Sequence, residues 1–410
     1  MSGPRTPGFD TLALHAGSAP DRASGAGAGH PLASSAHPAN ALLEERIAAL
    51  EGGVAGIAAA SGQAAMHLGL ATLVGAGEHI VASRALGGGA HHLLAHALRR
   101  FGVDTTFVDP RDPAAWRAAI RPSTRLLFGE ALGEGGLDVL DIPAIAQLAH
   151  EHDLPLMVDA SLATPSLQRP FDLGADLLFH SASAFLCGHG SAAGGVLVDG
   201  GTFDWQAAHA RSGRFATLCE PAPGCNGMVY SEESTVGAFA LHARGEGLRD
   251  FGAALDPHAA HAILHGVETL GLRMERHVAT TRRVVDFLLS HPLVASVAYP
   301  ELASHPDHQL AQRILPRGCG AGVSVELTGG DAAGRRFVAG LRVFSRLADG
   351  GRARSLAVHP ASSTHWRAPA GQLAAGGVGE GTLHLSIGLE EADDLIDDLK
   401  RGLKLAAKGT

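Results

Sequence analysis

The chain has 410 residues, 46% of them hydrophobic and 18% charged, enough to bury a large core in two or three domains. A net charge of −9 with no clustered Lys/Arg run argues against a nucleic-acid partner, which needs a basic footprint. No apolar stretch is long enough to span a bilayer and no leader pattern opens the chain, so we expect no membrane partner and a cytoplasmic location.

Two further features of composition matter. The four cysteines, Cys187, Cys219, Cys225 and Cys319, show no C-x-x-C spacing and read as reduced thiols. Of 32 basic residues only three are lysines, Lys400, Lys404 and Lys408, so residues 1–399 contain no side-chain primary amine.

Taken in order, residues 1 to about 40 are rich in Gly, Ala, Ser and Pro with little periodicity, which predicts an arm lying over a surface. A helix follows, with Asn40 as its expected N-cap, Leu43, Ile47 and Leu50 on one face, and Gly52–Gly53 as its stop. The apolar runs "EHIVAS", "TRLLFGEAL", "LPLMVDAS", "ADLLFH" and "GGVLVDG" predict buried strands. Between them, "DIPAIAQLAHEHD" predicts a helix capped by Asp141 with an early Pro143. Strands alternating with helices imply an α/β fold with a mainly parallel sheet, whose ligands sit beyond the C-terminal strand ends. After about residue 255, a long helical stretch, the strand "AGVSVELTGG" and a final strand and helix predict a smaller α+β domain. The expected division is 1–55 for the arm and first helix, 56–255 for the large domain and 256–410 for the C-terminal domain.

The segments "TLALHAGSAPD", "LEERIAALEGG", "ASGQAAM", "LPLMVDASLATPSLQRPFDLGADLLFHSAS", "GGVLVDGGTFDW", "VETLGLRMERH", "SLAVHPASSTH" and "LSIGLE" resemble, in order, the Cys/Met-metabolism family of pyridoxal-phosphate (PLP) enzymes, of the O-acetylhomoserine sulfhydrylase and cystathionine γ-synthase kind. The resemblance implies the PLP-dependent transferase fold type I, a homodimer or homotetramer whose arms reach neighbouring sites, and a lysine that carries the cofactor. It also implies where this chain departs. The family's Schiff-base lysine is Ala184, its ring-stacking tyrosine is Gly87, and its carboxylate-binding arginine is His384. The arm's Tyr and Arg align with Leu32 and Ser34, and an asparagine facing the ring hydroxyl aligns with Glu134.

Other matching positions remain. Asp159 is the ring-nitrogen partner, and Gly62 and Gln63 stand at an expected helix N-terminus, where N–H groups and the helix dipole favour an anion. Ser181 and Ser183 keep the hydroxyls used on the phosphate. On this reading Asp159, Glu134, His384 and His180 are candidate acid–base groups, with His384, Ser355 and His91 facing a substrate. Gly87, Ala184, Ala90 and Ala160, smaller than their family counterparts, predict a widened pocket.

No covalently bound PLP is expected; noncovalent PLP or another phosphate-bearing ligand fits the surviving half of the phosphate cup. Two functions follow: a PLP-independent transferase, lyase or condensation enzyme acting on a small molecule, or a non-catalytic sensor or assembly partner. Neither His91, His92 and His96 nor His258, His261 and His265 shows a metal-site pattern with a carboxylate, and no metal is expected. Cys187, near His189, reads as a packing thiol rather than a nucleophile.

Overall fold

The computed structural model describes residues 7–17, 37–133, 138–234, 237–346, 351–364, 366 and 378–408. Seven strands form the larger sheet: β1 (Ala55–Ala59), β2 (His79–Ser83), β3 (Asp104–Val108), β4 (Thr124–Glu130), β5 (Leu156–Asp159), β6 (Leu177–Ser181) and β7 (Gly195–Asp199). Their order is β1-β7-β6-β5-β4-β2-β3. The run from β3 to β6 is parallel, and only β7 opposes its neighbours.

The five apolar runs predicted as strands fall on β2, β4, β5, β6 and β7. They read as continuous apolar stretches because both sheet faces are covered. Val81, Leu127, Val158, Leu178 and Val196 pack into one core, while Ile80, Leu126, Phe128, Met157, Leu177 and Leu197 pack into another. Adjacent residues thus enter opposite layers, as the two-residue period of a strand requires. The short strand β1, "AGIAA", and the half-buried edge strand β3, "DTTFV", carry too little apolar signal to stand out.

Three helices frame the N-terminal part: α1 (Phe9–His15), α2 (Pro38–Glu51) and α3 (Gly62–Leu73). Helix α1 forms within the segment read as an arm, and it buries Ala13. The cap of α2 is His37, whose ring accepts from the Ala39 N–H, and not Asn40, which instead donates to the Leu255 carbonyl 2.9 Å away. Gly52 ends α2 in the left-handed region at φ 82°, where a side chain would strain the backbone. Asp141 caps the helix Ile142–Glu151 as the sequence predicts.

The second sheet is antiparallel: β8 (Val294–Ala298), β9 (Gly322–Leu327), β10 (Leu356–Val358) and β11 (Thr382–Ser386), in the order β10-β11-β9-β8. The long helical stretch before it is two helices, Pro257–Glu268 and Leu270–Leu289, broken at Thr269. Among the described residues no helix is long and apolar enough to cross a membrane.

Candidate active site

Parallel strands bring their C-terminal ends to one edge, and there the sheet sets Glu130 of β4 beside Asp159 of β5, in register. Ser181 ends β6 at the same edge. Helix α3 starts there as well: a Cβ on Gly62 would stand 2.6 Å from the Ser181 Cβ, so only glycine lets the first turn approach so closely. Ser61 caps this turn by accepting from Ala64, and the Gly62 and Gln63 N–H groups bond no described residue. They are two of the orphan donors that every helix start presents. The Gln63 side chain lies against Gly89.

Asp159 is the central group of this rim. Its carboxylate accepts from the Ser161 N–H at 2.8 Å, and the Ser161 hydroxyl in turn accepts from the Ser181 N–H at 2.6 Å. No Arg or Lys among the described residues pairs with it. Burial therefore pushes its pKa above the ordinary carboxylate value, against the smaller opposing pull of the Ser161 bonds and the nearby His180. Such a carboxyl fits a ligand that brings its own N–H or positive charge.

Other expected site residues are placed differently. His180 is fully buried and points to α2, its Nε2 2.7 Å from Glu51 Oε1, with both side chains at zero exposure. The imidazole braces β6 against α2 and presents no surface to the rim. Ser355 is also fully buried; its hydroxyl donates to Glu390 and accepts from the Gly388 N–H, both at 2.8 Å, which occupies its polar capacity. His91 stacks on Phe107 of β3 at 4.8 Å. Strand β3 is the sheet edge, separated from β5 by β2 and β4, so the strand that carries the ring's stacking partner lies about 14 Å across the sheet from β5 at ~4.8 Å per strand.

Ser183 exchanges hydrogen bonds with Gly194, accepting at 3.0 Å and donating at 3.3 Å, and so closes the loop between β6 and β7. His384 lies mid-strand in β11 on the same face as Ser386, whose hydroxyl accepts from the Gly351 N–H at 3.0 Å. Gly87 donates to Glu130 Oε1 at 2.7 Å. Glu134, Leu32 and Ser34 lie outside the described residues. Cys187 is buried; burial pushes its thiol up, but the Ser191 hydroxyl and the N–H groups of His189, Ala192 and Ser191 together bring it below its usual value.

Ala184 follows Ser183 in that loop, and its surroundings depart from the widened pocket expected here. A Cβ on Gly351 would sit 2.8 Å from the Ala184 methyl, so the 351 backbone lies directly on it. At Gly88, by contrast, a Cβ would meet nothing within 4 Å. The loop is held from below by Arg273, which donates to the carbonyls of Phe185 (2.7 Å), Leu186 (3.3 Å) and Gly266 (2.6 Å). Burial lowers this guanidinium to about 10, which still leaves it charged at neutral pH.

Glu130, Ser161, Arg273 and Gly351 were not singled out from the sequence. Ser161 ends the predicted run "LPLMVDAS" and Glu130 lies two residues before the end of "TRLLFGEAL", so a search of strand ends for polar residues would have found them. Arg273 and Gly351 act through contacts distant in sequence, which no local pattern announces.

The rim fits part of a PLP site. Asp159 suits a protonated ring nitrogen and the start of α3 suits a phosphate, but no amine stands at Ala184 to hold the cofactor covalently. Comparison with known proteins gives the same lineage. The chain is 42% identical to an O-acetyl-L-homoserine sulfhydrylase of Leptospira meyeri over 90% of its length and 84% of the relative's. It is 40% identical to the sulfhydrylase FUB7 of Fusarium oxysporum f. sp. lycopersici, covering 97% of this chain and 98% of that one. A Campylobacter jejuni protein described as an O-acetylhomoserine (thiol)-lyase, solved with a pyridoxyl-lysine monophosphate, superposes with a TM-score of 0.91 at 31% identity, over 97% of this chain and 99% of its own. The family model for Cys/Met metabolism PLP-dependent enzymes matches residues 10–404, and with the strand-end rim described above this makes the chain a member of that family.

Proposed function

We propose that this chain holds a small anionic ligand noncovalently at the strand-end rim and carries out a transferase, lyase or condensation step without a lysine-linked cofactor. The Campylobacter relative carries its pyridoxyl group on a lysine; here the three lysines all follow residue 399. Lys400 pairs with Asp397 on the outer helix Ala392–Ala406. PLP itself, bound without a covalent bond, or another phosphate-bearing molecule is the ligand class we assign.

The observation that carries this reading is Asp159: a half-buried carboxyl with no cationic partner among the described residues, one strand from Ser181 and facing the same edge as the open N–H groups of α3. In this scheme Gly62, Gln63 and Ser181 take the anionic end. Asp159, with its raised pKa, holds or exchanges a proton at a ligand nitrogen or oxygen. His384, on the β11 face that carries Ser386, is the candidate second acid–base group. Homodimeric or homotetrameric assembly and a cytoplasmic location belong to the same proposal.

A non-catalytic sensor or assembly role draws on a different observation, the Gly351 backbone lying over Ala184 where a reactive side chain would stand. Titration with PLP and with inorganic phosphate, followed by a screen for turnover of O-acetyl amino acids, separates the two. Saturable binding weakened in Asp159→Asn with detectable turnover supports the enzyme. Binding without turnover supports the sensor, and no binding of either ligand refutes both the enzyme and the sensor and favours the assembly role.

A further inference from the structure

A second candidate site lies on the helix Pro257–Glu268, away from the rim. Its inner side is buried through Ala260, Ile263, Leu264, Gly266 and Val267. That side braces the loop around Ala184: a Cβ on Gly266 would meet the Cys187 carbonyl oxygen at 2.2 Å, and a Cβ on Gly194 would meet Ile263. Its outer side carries three exposed histidines, His258, His261 and His265.

His261 and His265 are four residues apart, so their Cβ atoms share one face, about 5–6 Å apart in an α-helix. Their ring centroids stand 4.4 Å apart at an interplanar angle of 66°. No described hydrogen bond or ion pair uses either imidazole. His265 sits in the last turn, where the carbonyl end of the helix dipole favours positive charge.

From this geometry we infer that His261 and His265 form a two-imidazole chelate for a borderline divalent transition ion such as Zn²⁺, with water completing the coordination. Paired imidazoles at this spacing on one helical face supply two of the ligands in known zinc sites, where a third protein ligand joins them. Among the described residues no group of three or more His, Cys, Asp or Glu side chains is arranged to hold a metal, so the site is a surface chelate rather than a closed cage. The pair His92 and His96 makes the natural comparison. It has the same spacing, but its rings are 5.1 Å apart and it spans the change from α- to π-helical winding after His92.

The test is zinc footprinting on the full chain. Protein stripped with EDTA and dialysed is titrated with ZnCl₂, and histidine carbethoxylation is mapped by mass spectrometry. We expect His261 and His265 to be protected together, at least fivefold, at a zinc concentration that leaves His258 and His92 reactive. In His261→Ala, His265 should lose that protection and apparent zinc affinity should fall at least tenfold. Alanine at this exposed helical position keeps the fold, which the metal-free melting temperature checks. Protection of His265 that persists in His261→Ala, or equal protection of all exposed histidines, overturns the assignment.

Discussion

Replacing Gly62 with alanine probes the anion end of the site directly. The added Cβ would stand 2.6 Å from Ser181 Cβ, 2.8 Å from its Oγ and 2.9 Å from its Cα, whereas carbon atoms rest at about 3.5–4.0 Å. Ser181 ends a strand paired on both sides and cannot swing away as a flexible tip would. The first turn of α3 must therefore retreat by about an ångström. Overpacking of this kind costs roughly 1–3 kcal/mol, and the helical preference of alanine over glycine returns about 0.5–1 kcal/mol. A net loss of about 1–2 kcal/mol in a urea melt is the expected outcome. The same retreat moves the Gly62 and Gln63 N–H groups off the anion. One charge-assisted hydrogen bond is worth about 1.5–3 kcal/mol, so the dissociation constant for phosphate should rise about tenfold or more, read by calorimetry. If Gly62→Ala loses stability but keeps phosphate affinity within twofold, the start of α3 is not the anion site.

Three further outcomes follow from the same geometry. The folded-state pKa of Asp159 is raised, so its proton stabilises the fold below the unfolded value near 3.8, and this contribution fades as pH rises through the folded value. Asp159→Asn should accordingly be more stable than the parent at pH 8, with the advantage shrinking towards pH 4, while binding PLP more weakly; a constant difference in urea midpoint across this range would contradict the assignment. Arg273→Met strips the Phe185 and Leu186 carbonyls of their side-chain donor, while the Gly266 carbonyl keeps the Thr269 N–H, and should cost about 2–5 kcal/mol by chemical denaturation; a change under ~0.5 kcal/mol, the level of an ordinary surface substitution, would show that the loop needs no such support. Ala184→Lys should not restore the sulfhydrylase reaction for which its relatives are named, since Gly87 and His384 remain and Gly351 lies on position 184; full recovery in a coupled thiol assay would refute the loss of several site residues together.

Much of this architecture can be read in the chain itself. Buried parallel strands need apolar residues on both faces, so β2, β4, β5, β6 and β7 appear as uninterrupted runs, and their ends locate Asp159 and Ser181. The family resemblance supplies which of those ends face a ligand. What it does not supply is orientation. His180 lies next to Ser181, yet the alternation of a strand turns it to the opposite face, where Glu51 from α2 receives it. Ser355 stands in a matching segment but is consumed by Glu390, 35 residues away, and the His91 ring stacks on Phe107 of β3. At Ala184, one of the four small residues behind the widened-pocket expectation, tertiary contact intervenes, because the backbone at Gly351 packs on the Ala184 methyl.

Native mass spectrometry of freshly isolated protein, with and without prior borohydride reduction, tests noncovalent capture most directly. The account predicts a phosphate-bearing small molecule, copurified or taken up from added PLP, that leaves the chain on denaturation in both samples. A pyridoxyl group that survives denaturation after reduction and maps to an interior residue would contradict it, as would a chain that stays bare in the presence of millimolar PLP and phosphate.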